Sequence, residues 1–168
     1  MTITELMADK TPDPLYEGLV AVDDIVVAID TAPTAESPTE DNAYCVLQKG
    51  VTGQPMALNP EEVTRQFVRG GKQTTVTSKQ LTIDMAGTRY VGDDAQDYLM
   101  DDSRLFSVGQ DVVTNFIYFN IKTGKGFKGK CAISVSSANQ GNAGDDATFA
   151  CSLKSTEQAP VVWTYSAV

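Results

Sequence analysis

The chain has 168 residues, 42% of them hydrophobic, with a formal net charge of −9 and no histidine. That length and apolar content fit one domain with its own core, and no apolar run is long enough to span a membrane. The negative balance disfavours nucleic-acid binding by phosphate neutralisation, and the missing histidine removes serine or cysteine nucleophiles activated by that base.

The three cysteines are an odd number, which points to reduced thiols in a cytoplasm, and the N-terminal residues show no signal-peptide pattern. Acidic residues crowd the first 60 positions, where Lys10 and Lys49 are the only bases, while the remainder is nearly balanced. A protein partner of the acidic part is therefore expected to be basic.

Residues 1–14 are polar, carry Pro12 and Pro14, and read as a flexible N-terminal arm. Leu15 to Ile29 is apolar enough for one strand or a strand pair. Residues 30–60 read as a long loop, interrupted at most by a short strand at Tyr44 to Leu47. Such loops are uncommon in compact domains unless they serve a contact. At Asn59-Pro60-Glu61-Glu62 a helix-start pattern competes with the β-branched alternation of Val63 to Val68, and the strand is preferred. Thr74 to Met85 reads as one strand, turned at Gly87. Asp93 to Asp102 reads as the one clear helix, capped at Gly92-Asp93, with Ala95, Tyr98, Leu99 and Asp102 at helical spacing.

The last third reads as antiparallel strands. Asn115 to Ile121 is apolar and aromatic and ends in the glycine turn Thr123-Gly124-Lys125-Gly126. Phe127, Cys131, Ile133 and Val135 then fall at odd positions, before Asn139 to Asp146 turns the chain into Ala147 to Leu153. A hairpin centred on Gly141 places Cys131 opposite Cys151, either as a bridge or as two small buried hydrophobes.

Four Asp-Asp doublets place adjacent carboxylates on opposite faces of a strand, which does not suit paired acid–base work. The oxygens of Asn139, Asn142, Asp145 and Asp146 lack calcium-loop spacing and read as a turn. Gly124 to Cys131 comes one residue short of a P-loop, but a strand follows it where a helix is needed. These patterns give no catalytic residue, no cofactor and no metal site. What remains is the basic cluster Lys122, Lys125, Lys128 and Lys130. Beside the acids Asp30, Glu36, Glu40 and Asp41 it forms a charge pair suited to head-to-tail stacking of identical subunits. The alternative for the lysines is a solvated hairpin tip.

The segment Gly126-Phe127-Lys128-Gly129-Lys130-Cys131-Ala132-Ile133-Ser134-Val135-Ser136 is followed by Gly144-Asp145-Asp146-Ala147-Thr148-Phe149-Ala150-Cys151-Ser152-Leu153 and Ala159-Pro160-Val161-Val162-Trp163. This order resembles the C-terminal half of the major tail, or tail tube, proteins of long non-contractile-tailed bacteriophages. The resemblance covers roughly residues 60–165. It implies a mainly β sandwich or half-barrel with one short helix and a long loop. It implies a structural virion protein whose hexameric rings stack into a conduit for DNA, with sheets joined edge to edge and the long loop contacting the next ring. It also implies assembly in the host cytoplasm, with tape-measure, tail-terminator and baseplate proteins as partners and DNA passing without specific binding. The alternatives are a tube subunit of a contractile injection or type VI secretion system, and a monomeric β-sandwich binding module.

Overall fold

The computed structural model describes residues 1–33, 40–156 and 159–166. In chain order the first half contains α1 (Ile3–Met7), β1 (Ile25–Ile29), β2 (Cys45–Leu47), β3 (Val51–Gly53), β4 (Met56–Ala57), β5 (Pro60–Phe67), β6 (Gly71–Lys79) and β7 (Thr82–Thr88). The second half contains α2 (Asp94–Leu99), α3 (Asp102–Leu105), β8 (Val113–Asn120), β9 (Lys125–Gln140), β10 (Thr148–Ser155) and β11 (Val161–Thr164). The mainly β, antiparallel half-barrel expected from the sequence is the observed architecture.

Strand β9 organises it. The strand order is β2-β1-β8-β9-β10-β7-β3, with β11 added on β9 and β4 on β7, and all pairings are antiparallel. The first half of β9 pairs with β8 from Gly126 to Ala132, and its second half pairs with β10 from Cys131 to Gln140. It therefore leaves one layer (β2, β1, β8 and β11) and enters another (β10, β7, β3 and β4). Gly126 lets the start of β9 lie close against β8, since a Cβ there would collide with the Tyr118 carbonyl and Phe119.

Alternation fills the space between the layers. Val27, Ile29 and Phe116 point inward from the first layer, and Ile83, Met85, Phe149, Cys151 and Leu153 from the second. Ala95 and Leu99 of α2 close the end of this core. Each fully buried side chain of this size contributes about 1.5–3 kcal/mol. Strand β1 is buried on both faces, because Val26 and Ala28 join a second core with Ile117, Phe119 and Trp163.

The cover of that second core corrects the expectation of a flexible arm. Ile3 and Met7 of α1 are 0% and 2% exposed and pack against it. A capping box starts the helix: the Thr2 hydroxyl accepts from the Glu5 amide at 3.2 Å, and the Glu5 carboxylate accepts from the Thr2 amide at 2.7 Å. Within residues 15–29, only Ile25–Ile29 is strand, and Leu15 and Leu19 are exposed. The region expected to be a long loop, residues 30–60, carries the short strand expected near Tyr44 to Leu47 as β2 and adds β3, β4 and the 3-10 turn Asp41–Ala43.

Three further boundaries differ. Thr74 to Met85 is two strands, broken at Gln80-Leu81, where the Leu81 amide donates to the Ser155 hydroxyl at 3.0 Å. The helix expected over residues 93–102 ends at Leu99, and α3 restarts on its own N-cap, Asp101. Cys131 lies opposite Ser155, and Cys151 opposite Val135, so the two thiols are not register partners. All three cysteines are buried and free, and burial pushes the Cys151 thiol up to about 12.

Candidate self-assembly surfaces

The first surface is the second layer itself. Beyond Ala132, β9 pairs with β10 alone, and at the far side β3 and β4 pair with β7 alone. Among the described residues, this layer has no strand partner at either edge, although α3 and the 3-10 turn Gly109–Val112 lie beside β9. One face is covered by the core. The other presents Asp84, Ala86, Ser134, Ser136, Ala150 and Ser152, all small or short. Ser136 donates to the Ala150 carbonyl at 3.1 Å, and the Ser152 hydroxyl bonds to Asp84. No long side chain rises from the centre of this face, and Lys154 stands at its margin.

The second surface is the β5–β6 hairpin. Every residue from 55 to 80 is exposed, including Val63, Phe67, Val68 and Val76. Pairing runs from Pro60↔Lys79 to Phe67↔Gly71, and Thr64 and Thr74 hydroxyls bond across it at 2.9 Å. Asn59 anchors the base by donating to the Gln80 carbonyl at 3.2 Å and the Thr82 hydroxyl at 2.9 Å. An isolated two-stranded ribbon is marginally stable in water, so a ribbon of this length with exposed Phe and Val calls for a covering surface. The sequence signal was present in the Val63–Val68 alternation and the glycine pair Gly70-Gly71. Its second leg runs on toward Met85 with no glycine or proline to mark where the hairpin ends.

The third concerns the charged residues expected to steer assembly. Lys122 pairs with Asp24 of the same chain at 2.8 Å and lies 5.2 Å from the Tyr16 ring centre. Lys125 donates to the Pro14 carbonyl at 3.1 Å. Lys128 pairs with Asp41 at 2.7 Å, and the same carboxylate oxygen accepts from the Trp163 indole at 2.8 Å. Lys130 is exposed. Asp30 is fully buried, accepting from the Ala32 amide at 2.9 Å and the Asn115 side chain at 3.0 Å. Glu40 is exposed, and Glu36 lies outside the described residues. The hydrogen bond from Lys122 holds the Asp24 carboxyl below its ordinary pKa and raises that of the lysine. The structure thus brings Lys128 and Asp41 together within one chain and places Asp30 in the interior.

The fold defined by the shared strand, two layers and projecting hairpin is that of tail tube and tube-terminator proteins. No protein-family model and no curated protein matches the chain. Among solved structures it is similar to a chain in the tail of an empty gene transfer agent particle refined with sixfold symmetry, at TM-score 0.56 and 15% identity. That match covers 88% of this chain and 100% of the other. It is also similar to the tube-terminating cap of the anti-feeding prophage, at TM-score 0.52 and 10% identity over 95% of this chain and 100% of that one. The sheath/tube terminator of an extracellular contractile injection system matches at TM-score 0.51 and 10% identity, over 88% and 99%.

Proposed function

We propose that the chain is a structural subunit of a tail tube, forming rings that stack into a conduit for DNA. The observation that carries this reading is a four-strand layer with one face packed, the other bare and, among the described residues, no strand partner at either edge. Exposed sheet edges are an aggregation hazard unless another copy completes them, and edge-to-edge pairing of identical layers closes into a ring when the rotation permits. The small-residue face then becomes the channel wall, with Lys154 as its margin. A wall without arginine or clustered lysine leaves DNA free to pass, since each cation on a phosphate adds a salt-sensitive contact.

The fold likeness to a sixfold tail supports a hexamer, and the exposed hairpin, beside residues 30–60, is available to contact the next ring. The role is mechanical, not enzymatic. Its setting is a virion tail assembled in a host cytoplasm, with tape-measure, terminator and baseplate proteins as neighbours. A second reading follows from the likeness to two terminators: a subunit that forms one closing ring.

Negative-stain microscopy of the concentrated chain, with light scattering on the same sample, separates these. Long tubes with an axial channel are the expected result. Single rings that never elongate would favour the terminator, and a monodisperse monomer would overturn both.

A further inference from the structure

Resting on that reading, we infer that residues 1–3 act as a plug on β2, shutting the first layer to other copies so that rings close through the second layer alone. Strand β2 pairs with β1 on one side. On its other side lie the Tyr44 carbonyl and the Val46 amide, and residues 1–3 meet both. The Ile3 amide donates to the Tyr44 carbonyl at 3.0 Å, and the Val46 amide donates to the Met1 carbonyl at 2.9 Å. Thr2 and Cys45 face each other between these bonds as an antiparallel bridge. The added strand goes no further, because Ile3 already begins α1. The helix holds the plug in place: Ile3 and Met7 are buried in the second core, and the Thr4 hydroxyl donates to the Asn42 carbonyl at 3.0 Å. Covering an edge with a helix is one of the ways a sheet avoids pairing with other chains.

A ring of identical subunits joined through a sheet needs two different edges of one layer, one from each copy. Among the described residues the second layer offers both: β9 beyond Ala132, and β3 with β4. The first layer runs β2-β1-β8-β9-β11 and offers only β11, whose one strand partner is β9. Two β11 edges can meet only as an isologous pair, which closes at two copies and builds no ring. An open β2 would instead accept β11 of a neighbour, carry the first layer around the ring and leave the second-layer edges unmatched. Cys45, Val46 and Leu47 are 8%, 2% and 3% exposed, values that belong to a strand inside a sheet.

Two kinds of change to the full chain test the plug. Ile3→Pro and Ile3→Ala both lose the buried side chain, but only proline removes the amide that bonds to Tyr44. Proline suits the first helical position, and Thr2 before it is already extended. Ile3→Pro should therefore yield at least about fivefold fewer channelled rings or tubes than Ile3→Ala by negative stain, with amorphous aggregate in their place. Equal yields would overturn the plug. Where circular dichroism finds either variant unfolded, Thr2→Cys decides, since it leaves the core intact. Partners in a bridge of this kind have Cα atoms about 4.5 Å apart, within disulfide range. Oxidation should link the new thiol to the native Cys45 within one chain, read by mass spectrometry as the loss of a pair of hydrogens. The locked chain should assemble within about twofold of the rate of its reduced form, because the plug stays shut throughout. Slower assembly than that would show that β2 has to open, and would overturn the plug while leaving ring formation intact. Two thiols that never join would overturn it as well, by contradicting the bridge. A wild-type chain that never associates would overturn the assembly reading itself, and the role of the plug with it.

Discussion

Asp41 illustrates how much one side chain can hold. Its oxygen accepts from Lys128 and from Trp163, whose ring is 7% exposed and packs edge-on to Phe119 at 5.2 Å. The ion pair is partly exposed and contributes little, typically under about 1 kcal/mol. The indole is different: without an acceptor its buried N–H costs about 1–3 kcal/mol. Asp41→Ala should therefore lower stability by about 1–3 kcal/mol and Lys128→Met by less than about 1 kcal/mol, as read by urea unfolding. Asp41→Asn keeps an acceptor and should fall between them. Trp163 is the sole tryptophan, so its emission reports the site directly. Equal losses for Asp41→Ala and Lys128→Met would put the weight on the ion pair instead. This site was half legible: the sequence marked both charges and Trp163, but spacing along a chain cannot say whether opposite charges meet within a subunit or between two.

At the scale of elements, α1 reverses its expected role. The helix is short and looks polar in composition, yet Ile3 and Met7 at i and i+4 seal the second core. Ile3→Ala should cost about 2–5 kcal/mol, measured as a drop in the urea midpoint. A loss below about 0.5 kcal/mol would return these residues to the status of a loose arm. The sequence carried the signal, since Thr2 and Glu5 form a capping box around an apolar pair, but two nearby prolines and the polar surroundings outweighed it. Strands β8, β9 and β10 were legible because alternation and glycine turns agree there. β9 nevertheless extends into the first two residues of the expected turn, to Gln140, with Asn139 at φ 51°. The hairpin was less legible because neither of its faces is buried in the chain, so no hydrophobic period marks where β6 stops. Gln80-Leu81 breaks the strand without glycine or proline, a decision made by tertiary hydrogen bonds to Ser155.

For the whole molecule, pH dependence follows from which carboxylates are held. Hydrogen bonds from Lys122, Arg89 and Ser103 keep Asp24, Asp97 and Asp101 below the ordinary carboxylate value. A lowered folded-state pKa stabilises the fold above the unfolded value, near about 3.9, and that stabilisation disappears as pH falls through the lowered value. With no histidine, melting temperature should be nearly flat from about pH 6 to 8 and should decline below about pH 4. A step near pH 6.5 in a melting series would contradict this account. The sixteen residues of β9 have a mechanical consequence as well. Fully extended they would span about 53 Å at roughly 3.3 Å each, and they are hydrogen-bonded in turn into both layers. No flexible joint separates the layers, so tension applied along one is carried by a continuous backbone into the other. A cylinder built of such units would stretch or bend through the seams between copies while each copy stayed stiff.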